Sequence, residues 1–277
     1  MTFALGQAKR LPSGGATTAT RRALVFVAIP LLFLSIWELY KYVNGVSDYK
    51  LPHVWRIFTY FTTRLSNGEL TAVFLARSAW TTALEALLGL AVAIVLGISL
   101  ALLIAYVPKV GRGVLPLVVG SQAVPILALA PPLLVWLGTD WKSKAIISGY
   151  VAFFPIVIFA VRGFTSTKPE FVLLMRSYAA SPWSSFWKIR LPAAVPHLFT
   201  GLRAAASLSV VGAIVAELPV GAGSGIGVVI HDAAQFYIFN PRALWGATIA
   251  AFALGATFFG GVVLCERLTL ARLGGKH

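Results

Sequence analysis

Residues 176–192 read RSYAASPWSSFWKIRLP. Apolar runs flank them at 144–162 and 194–217, each long enough to cross a bilayer, which takes about 20 mostly apolar residues. The stretch is basic, aromatic and marked by two prolines. It therefore breaks the membrane pattern at a defined place, and its reading decides what kind of membrane protein this is.

The surrounding composition is that of a membrane protein. Of 277 residues, 58% are hydrophobic and 12% charged, with a mean hydropathy of +0.83. A soluble domain needs more charge to cover its surface. Six spans are expected, at 22–41, 79–106, 114–137, 144–162, 194–217 and 243–265, giving an all-α integral membrane protein. The first follows a polar tail, 1–21, with Lys9, Arg10, Arg21 and Arg22. That arrangement resembles a signal peptide, but no small-residue cleavage site follows it, so the reading is a retained helix. The segment 42–78 carries Val54, Trp55, Ile57, Phe58 and Phe61 at helical spacing among charged residues. It reads as an amphipathic helix, either lying on the membrane surface or packed on the protein. The remainder divides into a core, 79–265, and a cytoplasmic tail, 266–277. Pro125, Pro131 and Pro132 in the third span and Pro155 in the fourth predict kinked helices packed against protein or a watery cavity.

Alternation of six spans divides the charges without using charge as an input. One side receives 15 of the 23 Lys and Arg residues and two of the nine acidic ones, leaving it near +13 against +1 opposite. The positive-inside rule makes that side cytoplasmic, together with both termini. Topology thus accounts for the formal charge of +14, and nucleic-acid binding is not needed to explain it. The four histidines are scattered and the single cysteine is Cys265, so no metal set and no disulfide framework is expected.

The opening stretch lies in the largest cytoplasmic loop, 163–193. Thr167 can cap a helix that begins at Pro169, with Glu170 in its first turn. Phe171, Leu174, Met175 and Tyr178 then share one face. Ser181 can cap a second helix that starts at Pro182 and groups Trp183, Phe186 and Trp187. The prediction is a helix, an elbow at Ala179–Ala180, and a second helix. Two readings stay open: the apolar tip is a docking surface, or it packs back on the spans.

This loop resembles the signature loop of permease subunits of binding-protein-dependent ABC importers. That motif has Glu-Ala-Ala, three residues, glycine, nine residues, then Ile-x-Leu-Pro. Ile189, Leu191 and Pro192 match its end. Counting back sets Ala179 at the glycine and Leu173, Leu174 and Met175 at Glu-Ala-Ala, so the motif's acid and glycine are both replaced. ASPW at 180–183, FWKIRLPAAVPHLFTGLR at 186–203 and VVGAIVAE at 210–217 are similar to nitrate-, sulfonate- and taurine-type permeases and their pyrimidine- and flavin-precursor relatives. The resemblance implies the type I importer permease fold in a bacterial inner membrane. It implies a second permease, either another copy of this chain or a related partner, two ATP-binding cassette ATPases that carry ATP and Mg, and an extracytoplasmic solute-binding protein. It implies that residues 170–183 form the coupling helix and elbow against the ATPase. The chain itself has no phosphate-binding loop: its one Gly-Lys is Gly275-Lys276, followed by His277. It is expected to bind no cofactor and catalyse no reaction. A secondary carrier working without ATP is the alternative, but the repeated halves common in carriers are not evident.

Polar residues within spans mark candidates for the path: Thr82, Glu85, Ser121, Gln122, Ser207, Ser209 and Glu217. Each has a competing reading as an interhelical hydrogen bond. Gly221, Gly223 and Gly225 in GAGSGIG fail the dinucleotide-binding spacing and read as an outer loop or re-entrant segment.

Overall fold

The computed structural model describes residues 15–220 and 223–274. They are helical almost throughout, with one isolated bridge, Arg64 to Leu70, outside the helices. The order is α1 (Gly15–Val43), α2 (Val54–Tyr60), α3 (Thr71–Tyr106), α4 (Pro108–Ser121), α5 (Ile126–Leu137), α6 (Trp141–Thr165), α7 (Pro169–Ser177) and α8 (Pro182–Ser185). A π turn (Phe186–Arg190) leads into α9 (Leu191–Glu217). A 3₁₀ turn (Leu218–Val220), α10 (Ile226–Gln235) and α11 (Pro241–Gly274) follow.

Small residues decide the centre. α3, α6 and α9 pack on one another with their backbones close, because glycine occupies the crossings. A Cβ on Gly89 of α3 would stand 2.5 Å from the Ala145 carbonyl of α6. One on Gly149 would stand 2.9 Å from the Gly89 carbonyl, and one on Gly212 of α9 would stand 2.9 Å from Ser148 Cα. In a bilayer the lipid is as apolar as leucine, so close backbone contact, not escape from water, favours such packing. The outward faces of the same helices stay apolar: Val92, Val95 and Leu96 of α3 are exposed beside the buried Ala93 and Gly97. Both faces being apolar is the mark of a helix set in lipid.

Among the described residues, α3, α6, the continuous stretch Pro182–Glu217 and α11 are long and apolar enough to cross a membrane. The pair α4 and α5 makes a fifth if counted as one span. The expected first span, 22–41, lies within the long helix α1, whose described side chains from Leu24 onward are mostly exposed.

Two expectations about the chain's course need correction. The third span, 114–137, is not one kinked helix: α4 and α5 meet at 98°. The break falls at Gln122–Pro125, and α5 runs on through Pro131 and Pro132. Pro125 adopts an extended ψ of 122° and starts α5 as its cap. A proline restricts the residue before it and cannot donate, so it serves a helix start better than a helix interior. The second span starts at Thr71, well before 79, its first turns held by an Arg77–Glu69 ion pair of 3.1 Å. The amphipathic helix expected around Val54–Phe61 is α2, whose Ile57 and Tyr60 pack inward while Trp55 and Phe58 face out.

Proline also shapes the start of α9. Pro192 has no N–H to give, and its ring crowds the carbonyl four residues back. The backbone widens to a π turn there, with the Leu191 N–H bonded to the Phe186 carbonyl. The helix continues without stopping from Pro182 to Glu217.

Candidate functional site

The elbow between α7 and α8 is built by local rules. At the end of α7 the Ala180 N–H reaches the Met175 carbonyl at 3.0 Å, and the Ala179 N–H reaches Arg176 at 2.9 Å. These are the two bonds of a Schellman ending, which needs its middle residue in the left-handed region. Ala179 sits there with φ of 50°, the one non-glycine residue with positive φ among those described. This is the position of the motif glycine. Alanine therefore adopts the glycine conformation and bears its steric cost. Ser181 then caps α8, accepting from the Ser184 N–H at 3.2 Å. The expected cap at Thr167 does not form: Lys168 takes the cap position without a side-chain bond, and Thr167 Oγ1 is buried without a partner. Glu170 lies in the first turn of α7 as expected.

The tip faces outward. Tyr178 is 77% exposed and Trp183 69%, and Phe171, Leu173, Leu174 and Trp187 are exposed too, with Met175 half-buried. The base is fixed by Phe186, which the sequence reading had grouped with the tip. Its ring lies 6.1 Å from Phe164 of α6 and 6.3 Å from Tyr106 of α3, between centroids. It also meets Trp183 and Trp187, and the Arg190 guanidinium covers Tyr106 at 4.9 Å. An aromatic pin thus ties the elbow to the ends of two central helices and leaves an apolar knob free.

The path candidates fall into two groups. Ser121 and Gln122 line a cavity of about 280 Å³ at the break between α4 and α5, with Tyr150, Phe154 and Leu208. The other group is packed between helices. Thr82, Glu85, Ser209 and Glu217 are all buried. Thr82 Oγ1 donates to Glu217 at 2.7 Å, and the Ser209 carbonyl accepts from Ser148 Oγ at 2.8 Å. Ser207 is half-buried, its hydroxyl 3.5 Å from the Arg203 carbonyl. The sequence reading missed Lys144, which it placed on the outer side. Lys144 is 5% exposed and its Nζ lies 3.3 Å from Glu85 Oε1.

In the glycine-rich segment, Gly223 is exposed and Gly225 buried with φ of 143°. Gly221 lies outside the described residues. The segment, read from sequence as an outer loop or re-entrant segment, ends by starting a helix, α10.

Closely packed central helices, a bent helix pair beside a small cavity and an apolar elbow on a pinned base together make a multi-pass membrane protein. Residues 93–268 match the family described as binding-protein-dependent transport system inner membrane component. The chain belongs to that family, and so is a permease of a binding-protein-dependent ABC importer with the type I permease fold. It is 35% identical to the formylaminopyrimidine transport permease of Halalkalibacterium halodurans over 71% of this chain and 76% of that one. It is 31% identical to a probable ABC transporter permease of Haemophilus influenzae over 75% and 82%. It is 30% identical to a putative aliphatic sulfonates transport permease of Bacillus subtilis over 75% and 73%.

Proposed function

We propose that this chain docks its elbow, residues 170–183, into a cytoplasmic ATPase subunit and passes that subunit's motion to the membrane helices. The observation that carries the reading is the exposed pair Tyr178 and Trp183 flanking the left-handed Ala179, on a base pinned by Phe186. An apolar knob in water is a docking surface, and large aromatics make its anchors. Two ATPases bind ATP and Mg, two permease copies form the passage, and a solute-binding protein delivers the solute outside. The elbow side and both termini face the cytoplasm of a bacterial inner membrane, as the charge division requires. The solute is a small organic or anionic molecule of the kinds for which the relatives are named: formylaminopyrimidine, aliphatic sulfonates, riboflavin, taurine or bicarbonate.

The test is the double change Tyr178→Ala, Trp183→Ala. Both side chains are exposed, so insertion and thermal stability should hold. Loss of two such anchors costs about 2 kcal/mol or more of binding, and co-purification with the ATPase should fail along with uptake. A variant that loses stability but keeps its ATPase would reject the docking reading.

A further inference from the structure

At the end of α9 far from the elbow, the carboxylate of Glu217 grips the start of α10. Glu217 is 0% exposed. Its Oε2 accepts from the Gly227 N–H at 2.5 Å, and its Oε1 accepts from Thr82 Oγ1 at 2.7 Å. Thr82 Oγ1 in turn accepts from the Ile226 N–H at 2.8 Å. The first N–H groups of a helix have no partner within it. Here two of them are satisfied from α9 and α3 across sequence separations of 10 and 144 residues.

The glycines make this approach possible. A Cβ on Gly225 would fall on the Glu217 carboxylate, and one on Gly227 would stand 2.7 Å from Oε2 and 2.5 Å from the Ile214 carbonyl. The covalent route from α9 to α10 runs through residues 218–225, which include three glycines. The hydrogen bonds bypass it. The rod that starts at the elbow, Pro182–Glu217, is 36 residues long, about 54 Å at 1.5 Å per residue. Its first residue follows the elbow and its last holds α10. Beyond α10 lies an exposed apolar tip, Phe236, Ile238 and Phe239.

We infer that Glu217 and Thr82 are positioning residues that carry movement of α9 into α10, so that the far-side segment 223–239 follows the elbow. The solute need not touch either of them. This inference rests on the docking reading above, because the elbow must be driven for the joint to transmit anything.

The experiment uses the complete transporter in vesicles, with Cys265→Ser to remove the one native thiol and Ser224→Cys as the reporter. Ser224 is exposed and lies between the two glycines. The rate of maleimide labelling is measured with and without ATP and Mg. In the parent the rate should depend on ATP. Thr82→Val removes the acceptor for Ile226 and the donor to Glu217 together. It should move the ratio of the two rates toward 1 while the ATPase still co-purifies, since α10 then keeps only the Glu217–Gly227 bond of the two that hold its start. Thr82→Ser keeps both bonds and should restore the parent ratio. Gly227→Ala forces the same separation by another route and should match Thr82→Val, which covers the case of a variant that inserts poorly. An unchanged ratio in Thr82→Val or in Gly227→Ala overturns the joint, and so does a parent whose label ignores ATP while its ATPase is bound. Failure of the ATPase to bind the parent at all is a different result: it rejects the docking reading, and the inference falls with it.

Discussion

Lys144 Nζ stands 3.3 Å from Glu85 Oε1 near one end of the α3–α6 contact, and both side chains are almost fully buried. Glu217 lies against the same pair from α9. Two acids and one base therefore share a buried site. Removing one member of a buried pair leaves a charge uncompensated, which costs about 3–5 kcal/mol, whereas replacing both by apolar or neutral groups is often tolerated. Lys144→Met should accordingly destabilise the protein strongly, and Glu85→Gln with Lys144→Met should recover most of the loss. Thermal unfolding in detergent measures both. Equal stability of the single and double variants would show that the pair does not act as a unit.

Ala179 occupies a left-handed position at the end of α7. Ala179→Gly should stabilise the elbow by roughly 0.5–1 kcal/mol, the relief of the left-handed cost less the added freedom of the unfolded chain. Ala179→Val should have the opposite sign, its branched Cβ being worse suited to that region. Hydrogen exchange of the Ala180 amide, whose bond to Met175 depends on this conformation, reads the change locally.

The glycines of the bundle should divide by what surrounds them. Gly149→Ala puts a Cβ 2.9 Å from the Gly89 carbonyl, and backbone on both sides cannot easily retreat. Overpacking of this kind costs about 1–3 kcal/mol. Gly255 and Gly260 of α11 have open space at the same position. Alanine there should raise stability by up to about 1 kcal/mol through helix propensity. Melting temperatures of the three variants should lie on opposite sides of the parent, and a loss at Gly255 or Gly260 would reveal a neighbour outside the single chain.

Asp48 ties the end of α1 to the start of α2 by ion pairs to Lys41 and Arg56. The hydrogen bond from Lys41 holds its carboxyl below the ordinary value of 3.8, with the charges of Lys41, Arg56 and His53 adding to it. A depressed acid contributes stability above its ordinary value and loses it as the pH falls through the lower folded value. Asp48→Asn should thus cost stability at neutral pH, and its deficit against the parent should close below pH 3.8. The carboxylate is 38% exposed, so solvent limits the effect to about 0.5–1 kcal/mol. A deficit that persists unchanged at low pH would assign the role to shape rather than charge.

Much of this protein was legible from sequence because it is local. A bilayer admits few backbone solutions, so long apolar runs near 79–106, 144–162, 194–217 and 243–265 had to be helices, and α3, α6, α9 and α11 cover them. The elbow was legible for a similar reason. Caps and helix endings depend on residues three to six positions apart, so Ser181, Pro182 and Ala179 could be assigned without knowing any neighbour. Local rules failed in two places: Thr167 stands one residue outside the cap position, because Pro169 opens the helix and leaves Lys168 as its cap, and three prolines compete for one break.

What only the tertiary structure decided is which polar residues meet. Lys144 near the start of a span reads as a charge that ends it in water, yet α6 carries it inward to Glu85, 59 positions away in the chain. Thr82 and Glu217, 135 residues apart, become partners because Gly89, Gly149 and Gly212 let three helices close on one another. A buried charge or hydroxyl must find its complement somewhere in the fold. The sequence states that need at each such residue. Only the packing of the helices, set by surfaces many turns long, says which complement answers it.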